Sequence, residues 1–155
     1  MSMQVLNQKI VDIIDTITDI QVVYDHPFGE FSGYPAVTVF PSGNSSDYET
    51  TAENIRTYAF QIHLFVDISA IQKDANGNNV TGQAQLKEAY RVTRSIVDQI
   101  IDKFDQDETL SGISLPAGKQ MVSVRPAPSA VELIPDTNTI VSQINLECRI
   151  VFDVT

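Results

Sequence analysis

Basic residues are scarce in this chain: 10 Lys and Arg stand against 20 Asp and Glu, for a formal net charge of −10. The ten are scattered from Lys9 to Arg149 and form no tract. Phosphate-backbone binding relies on clustered cations that displace counterions, so the balance argues against a nucleic-acid binder. The acidity itself has two readings: simple solubility, or a surface that DNA passes without sticking. Cysteine is almost absent. Cys148 stands alone, which excludes an intrachain disulfide. It sits within an alternating strand pattern and reads as a small buried hydrophobe. A reactive thiol there would need a basic or helix-terminal setting, which its neighbours Glu147 and Arg149 do not settle.

Long apolar runs are also missing. No segment approaches the ~18 residues of a membrane span, and the N-terminus, MSMQVLNQKIVDII, lacks the basic-then-apolar order of a signal peptide. A soluble protein made in the cytoplasm is expected. The two histidines, His26 beside Pro27 and His63 within a strand, have no His or Cys at ligand spacing. A four-ligand zinc site has no support there, and both read as ordinary surface or hydrogen-bonded histidines.

Other motifs fail on inspection. In GISLPAGK, residues 112–119, one residue too many separates the glycines of a phosphate loop, and Gln120 replaces the magnesium-binding Ser or Thr. Gly112-Ile113-Ser114-Leu115-Pro116 lacks the final glycine of a nucleophile elbow. DANGNN, residues 74–79, alternates Asp74, Asn76 and Asn78 like a calcium loop. However, Asn79 stands where the sharp-turn glycine belongs, and Gln85 where a bidentate Glu belongs. A hairpin-like or flexible loop is the better reading. Asn44-Ser45-Ser46 and Asn79-Val80-Thr81 match the glycosylation tripeptide, which carries no meaning without a secretory signal. No cofactor is expected, and no catalytic pair emerges.

At 155 residues with 43% apolar content, the chain is the size of one domain, residues 1–155, with its own core. Charged residues, at 19%, fall below the usual share of about 25%. Leu6, Ile10, Ile13, Ile14 and Ile17 predict a helix over residues 2–18, its stripe widened by Val5 and Val11. Residues 21–24 form a short strand, 25–33 a loop, and 34–40 a strand with Pro35 near its start. Over residues 57–67, Tyr58, Phe60, Ile62, Leu64 and Val66 fall on one face. The other face carries Ala59 and Phe65 among polar residues, so it meets another surface rather than bulk water. Leu86, Tyr90, Thr93, Val97, Ile100 and Phe104 predict a second helix starting near Ala84. Asp102, Asp105, Asp107 and Glu108 at its end oppose the helix dipole and read as a solvated terminus. Residues 121–125 alternate as a strand that Pro126 and Pro128 end; 131–134 and 144–154 are further strands. The expected class is α+β: a two-layer domain with a mainly antiparallel sheet and two long helices on one face.

Two connections, residues 42–54 and 69–83, are long for so small a chain, and such loops are either functional or disordered. Tyr48 and Ile55 would anchor the first, with Asp47, Glu49 and Glu53 placed for polar contacts.

GYPAVTVFPSGNSSDYETTAENIRTYAFQIHLFV, followed after a loop by EAYRVTRSIVDQIIDKFDQDETLSG, resembles the tail terminator, or tail-completion, proteins of long-tailed bacteriophages. The likeness covers residues 33–112 and extends loosely to the last strand. It implies a structural, non-enzymatic virion protein of the tail or neck. Such a protein closes into a ring, expected to be hexameric, on the head-proximal end of the tail tube. There it stops tube polymerisation and offers a docking face to the head connector, or stopper. The implied partners are further copies of the chain, the tail tube protein and the connector. DNA passes through the lumen without specific binding, and no membrane is involved. Six copies at −10 each give −60 before counterions, which repels phosphates in the lumen. The interface residues expected on this basis are Asp47, Tyr48, Glu49, Thr50, Thr51, Glu53, Asn54, Lys73, Asp74 and Asn76. Arg91 and Arg94 would serve intersubunit pairs or merely decorate the surface. A head–tail joining protein that binds the connector is the nearest alternative. A small cytoplasmic enzyme or ligand-binding domain, with its pocket in the sheet–helix crevice, is the alternative from another class.

Overall fold

A computed structural model describes residues 2–27, 30–48, 53–107, 109–110, 113, 115 and 118–153. Two helices, α1 (Ser2–Asp15) and α2 (Gly82–Asp105), accompany five strands: β1 (Val22–Tyr24), β2 (Ala36–Tyr48), β3 (Glu53–Asp67), β4 (Lys119–Ile134) and β5 (Thr139–Asp153). The strands form one sheet in the order β1-β2-β3-β5-β4. β1 runs parallel to β2, and every other pairing is antiparallel.

The periodicities place the core where they predict it. Tyr58, Phe60, Ile62, Leu64 and Val66 of β3 are buried, as are Ile140, Ile144, Leu146, Cys148 and Ile150 of β5. They join Leu6, Ile10 and Ile14 of α1 and Ala89, Ile96, Ile100 and Phe104 of α2 in one hydrophobic cluster. α1 stops at Asp15, short of the expected residue 18. The reason is local: the Thr16 hydroxyl donates to the Ile13 carbonyl at 2.6 Å, and this bond competes with the helical ladder.

Two expectations need correction. Residues 42–48 and 53–54, expected in an irregular connection, belong to strands, and residues 49–52 of that connection lie outside the described residues. β2 continues to Tyr48 and pairs with β3 as far as Tyr48↔Asn54, so residues 36–48 and 53–67 form one long hairpin. Nor do Pro126 and Pro128 end a strand, because β4 runs unbroken from Lys119 to Ile134 and absorbs the separate strand expected at 131–134. The physical reason is the same in both places. The register of β2 shifts between Pro41 and Gly43, and that of β4 between Pro128 and Ala130. Bulges and edge strands tolerate a residue that cannot donate to the ladder.

The strands outreach the helices. β3, at 15 residues, spans roughly 50 Å at ~3.3 Å per residue. α2, at 24 residues, spans roughly 36 Å. Exposure on β4 instead marks its place at the sheet edge, because Leu64, Val66, Ile140 and Ser142, level with Val131 and Leu133 on the inner strands, stay buried. Val124 is 2% exposed, whereas Val131, on the same face farther along, is 56% exposed.

Candidate functional site

The sheet has two unequal open edges. β1 shields β2 only at Ala36, Val37 and Thr38, so residues 39–48 have no strand on their outer side among the described residues. At the opposite edge β4 is likewise unpaired on its outer side, and Pro126 and Pro128 withhold backbone donors there. Unpaired edges are templates for another chain.

The large hydrophobics that stand exposed among the described residues are Val131, Leu133 and Ile134, all near the end of β4. Cross-strand partners share a face. Val131 pairs with Ser142 and Leu133 with Ile140, and both partners are buried, so Val131 and Leu133 point to the core side at the sheet's outer edge. Val97 of α2 joins Pro128, Ala130, Val131, Ser142 and Gln143 in lining a shallow groove of about 150 Å³. Ser142 Oγ is buried there with no hydrogen-bond partner among the described residues. Sequence reasoning missed this groove. Its signal was the alternation of Val131 and Leu133, which had no helical residues assigned to cover them.

The expected interface residues fall in three places. Asp47 and Tyr48 end β2, while Glu53 and Asn54 begin β3; Glu49, Thr50 and Thr51 lie outside the described residues. Lys73, Asp74 and Asn76 form an ordered turn, closed by the bridge Lys73↔Asn79. Asp74 Oδ1 accepts from the backbone N–H groups of Asn76 and Asn78, each at 2.9 Å, and Gly77 supplies the required positive φ of 83°. This is the hairpin-like reading of DANGNN. The turn lies close to α2, because Gln85 Nε2 donates to the Ile71 carbonyl at 2.7 Å. Arg91 Nε donates to Glu88 Oε1 at 2.8 Å. That hydrogen bond, helped by the charges of Glu88, Asp19 and Asp74, raises the Arg91 pKa. Asp74 and Arg91 are therefore neighbours, and no described contact links them to the hairpin end. Arg94 lies over the Tyr90 ring at 6.0 Å, with no carboxylate at ion-pair distance among the described residues.

The sheet face away from the core carries aromatics. Phe31 packs on Phe65 at 4.7 Å between ring centroids, and Phe40 on His63 at 5.1 Å. Burial lowers the His63 pKa, and its Nε2 lies 3.1 Å from Gln61 Oε1. Cys148 is fully buried, and burial pushes its thiol up to about 12. Among the described residues no group of three His, Cys, Asp or Glu could hold a metal ion. No helix is long and apolar enough to cross a membrane. The phosphate-loop and elbow stretches at 112–119 lie partly outside the described residues, and they lead into β4 rather than a helix.

No family model and no curated protein sequence matches the chain. Among solved structures, it is similar to a chain of the virion of a native gene transfer agent particle. That similarity has a TM-score of 0.48 and 13% identity, over 91% of this chain and 83% of the other. A likeness of that size decides nothing about function.

Proposed function

We propose that this chain is a tail terminator: a structural virion protein that closes into a ring on the head-proximal end of a phage tail tube and stops its growth. The ring, expected to be hexameric, then presents its free side to the head connector. Residues 1–155 act as a single domain, with both helices as one layer on one face of the sheet.

One observation carries the reading. The residues that bear the family resemblance become the β2–β3 hairpin and α2, and beside them the sheet keeps two different open edges. Different edges suit heterologous contacts, which close by rotation into a ring. The groove of about 150 Å³ is small beside the ~300–1,000 Å³ typical of metabolite pockets. The acidic balance fits a lumen that DNA crosses without adhering.

The test is assembly in vitro. Tail tube protein from the same phage is polymerised with and without the purified chain, and tube lengths are measured by negative-stain microscopy. Tubes should stop short when the chain is present from the start. An unchanged length distribution at saturating chain would sink the reading.

A further inference from the structure

We propose that the outer edge of β4 pairs antiparallel with β4 of a second copy of this chain, about a two-fold axis between Pro128 and Ser129. Proline is tolerated in a strand where its missing N–H faces away from the neighbouring strand. Pro126 and Pro128 therefore direct their backbone groups away from β5, and Val124, on the same face, does likewise. Beyond the register shift between Pro128 and Ala130, that face is carried by Val131 and Leu133. The N–H and C=O groups of Val124, Val131 and Leu133 thus point to an edge with no strand beyond it among the described residues.

The sequence of this edge nearly mirrors itself. Val124-Arg125-Pro126-Ala127, set against Leu133-Glu132-Val131-Ala130 in reverse, reads apolar, charged, apolar, Ala in both. After Lys119, the charged residues of β4 are Arg125 and Glu132, of opposite sign. Both are exposed on the face away from the core, and neither is at ion-pair distance from an opposite charge among the described residues. The register that sets Arg125 opposite Glu132 of the second copy also agrees in face throughout: Val124 meets Leu133 and Pro126 meets Val131 on the core side, and Ala127 meets Ala130 on the other. In a strand without the shift, residues seven apart would face opposite sides and forbid this pairing; here each copy's extra residue falls at the axis. Sliding the register by two sets Arg125 against Ala130 or Ile134 and parts the charges. In the favoured register Val124 and Leu133 exchange backbone hydrogen bonds, and Val131 donates to the Pro126 carbonyl. Arg125 and Glu132 then form a close, non-hydrogen-bonded pair. Val131 and Leu133, 56% and 37% exposed in the single chain, gain the second copy's Pro126 and Val124 as neighbours. A two-fold contact saturates itself. It describes the chain off the tube and stands independently of the ring reading.

The experiment is sedimentation velocity of the full chain over a concentration series, which should show a monomer–dimer equilibrium. Arg125→Glu and Glu132→Arg should each weaken dimerisation by at least about tenfold, or about 1.4 kcal/mol, because each sets like charges face to face twice in the pair. Circular dichroism should not change. Mixing the two variants in equal amounts should restore dimerisation, since a mixed pair again brings opposite charges together at both places. Glu147, which lies opposite Arg125 on β5, is the rival partner within the chain, and pairing with it would give no rescue on mixing. Should either reversal disturb folding, chains with Ala127→Cys mixed with chains with Ala130→Cys decide: disulfide-linked mixed dimers on air oxidation support the register, and their absence overturns it. A wild type that stays monomeric throughout overturns the pairing, as does a dimer that both reversals leave intact or that mixing fails to rescue. The tube-length assay alone judges the ring reading, whichever way sedimentation falls.

Discussion

Two valines on one face of β4 give a direct test of how far the helices cover the sheet. Val124 is 2% exposed beside Cys148, and Val131 is 56% exposed beside Ser142. Val→Ala removes two carbons from each, and the loss of strand propensity is common to both. At Val124 the transfer cost is about 1.6 kcal/mol, at ~0.8 kcal/mol per CH₂, and a residual cavity brings it to roughly 2–3 kcal/mol. At Val131 more than half of the side chain is already in water, so the cost falls to about 0.7 kcal/mol. For a domain of this size, Val124→Ala should lower Tm by roughly 4–10 °C and Val131→Ala by about 1–3 °C. Urea and thermal melts at low protein concentration, where any assembly is dissociated, read the difference. Equal losses at the two positions would mean that Val131 is covered within its own chain, and the account of β4 as a partly uncovered edge would fail.

Three further outcomes are expected. Cys148 should resist DTNB at pH 8 in the folded protein and react fully in guanidinium, because its pKa near 12 leaves almost no thiolate and burial denies access; rapid native labelling would contradict its place in the core. His63 is held below its ordinary pKa of 6.5 by burial, so the unfolded chain binds its proton more tightly. Stability should therefore fall as pH drops through 6.5 and level off below the folded pKa; a His63→Gln variant with an unchanged slope between pH 5 and 7 would refute this. Deleting residues 45–51 removes the last ladder pairs of β2 with β3 but none of the residues of the hydrophobic cluster. The variant should stay folded by circular dichroism yet fail to shorten tubes, and tubes of capped length would reject the role given to that segment.

Much of the fold was legible because period two and period 3.6 are strong signals when one face is buried. Phe60, Ile62 and Leu64, or Ile96, Ile100 and Phe104, could hardly be read otherwise. Proline misled the reading at both strand extensions. Pro41 and Pro128 look like stops in a sequence, but each sits at a register shift where the ladder is already interrupted. Whether such a residue ends a strand depends on its neighbours in the sheet, which local pattern does not encode. The groove was hidden for a related reason. The alternation of Val131 and Leu133 says that a face exists; only the place of β4 at the edge of the sheet says that it is left uncovered. Arg91 and Arg94 look alike in the sequence, yet one is paired with Glu88 and the other stands over Tyr90, because Glu88 lies three residues before Arg91 and has no counterpart before Arg94.

The most direct measurement is electron microscopy of tail tubes assembled with this chain, counting where it binds. A closed ring of copies on one end of each tube, and nowhere along the wall, is the predicted image. Bare tube ends, or copies spread along the cylinder, would contradict the account.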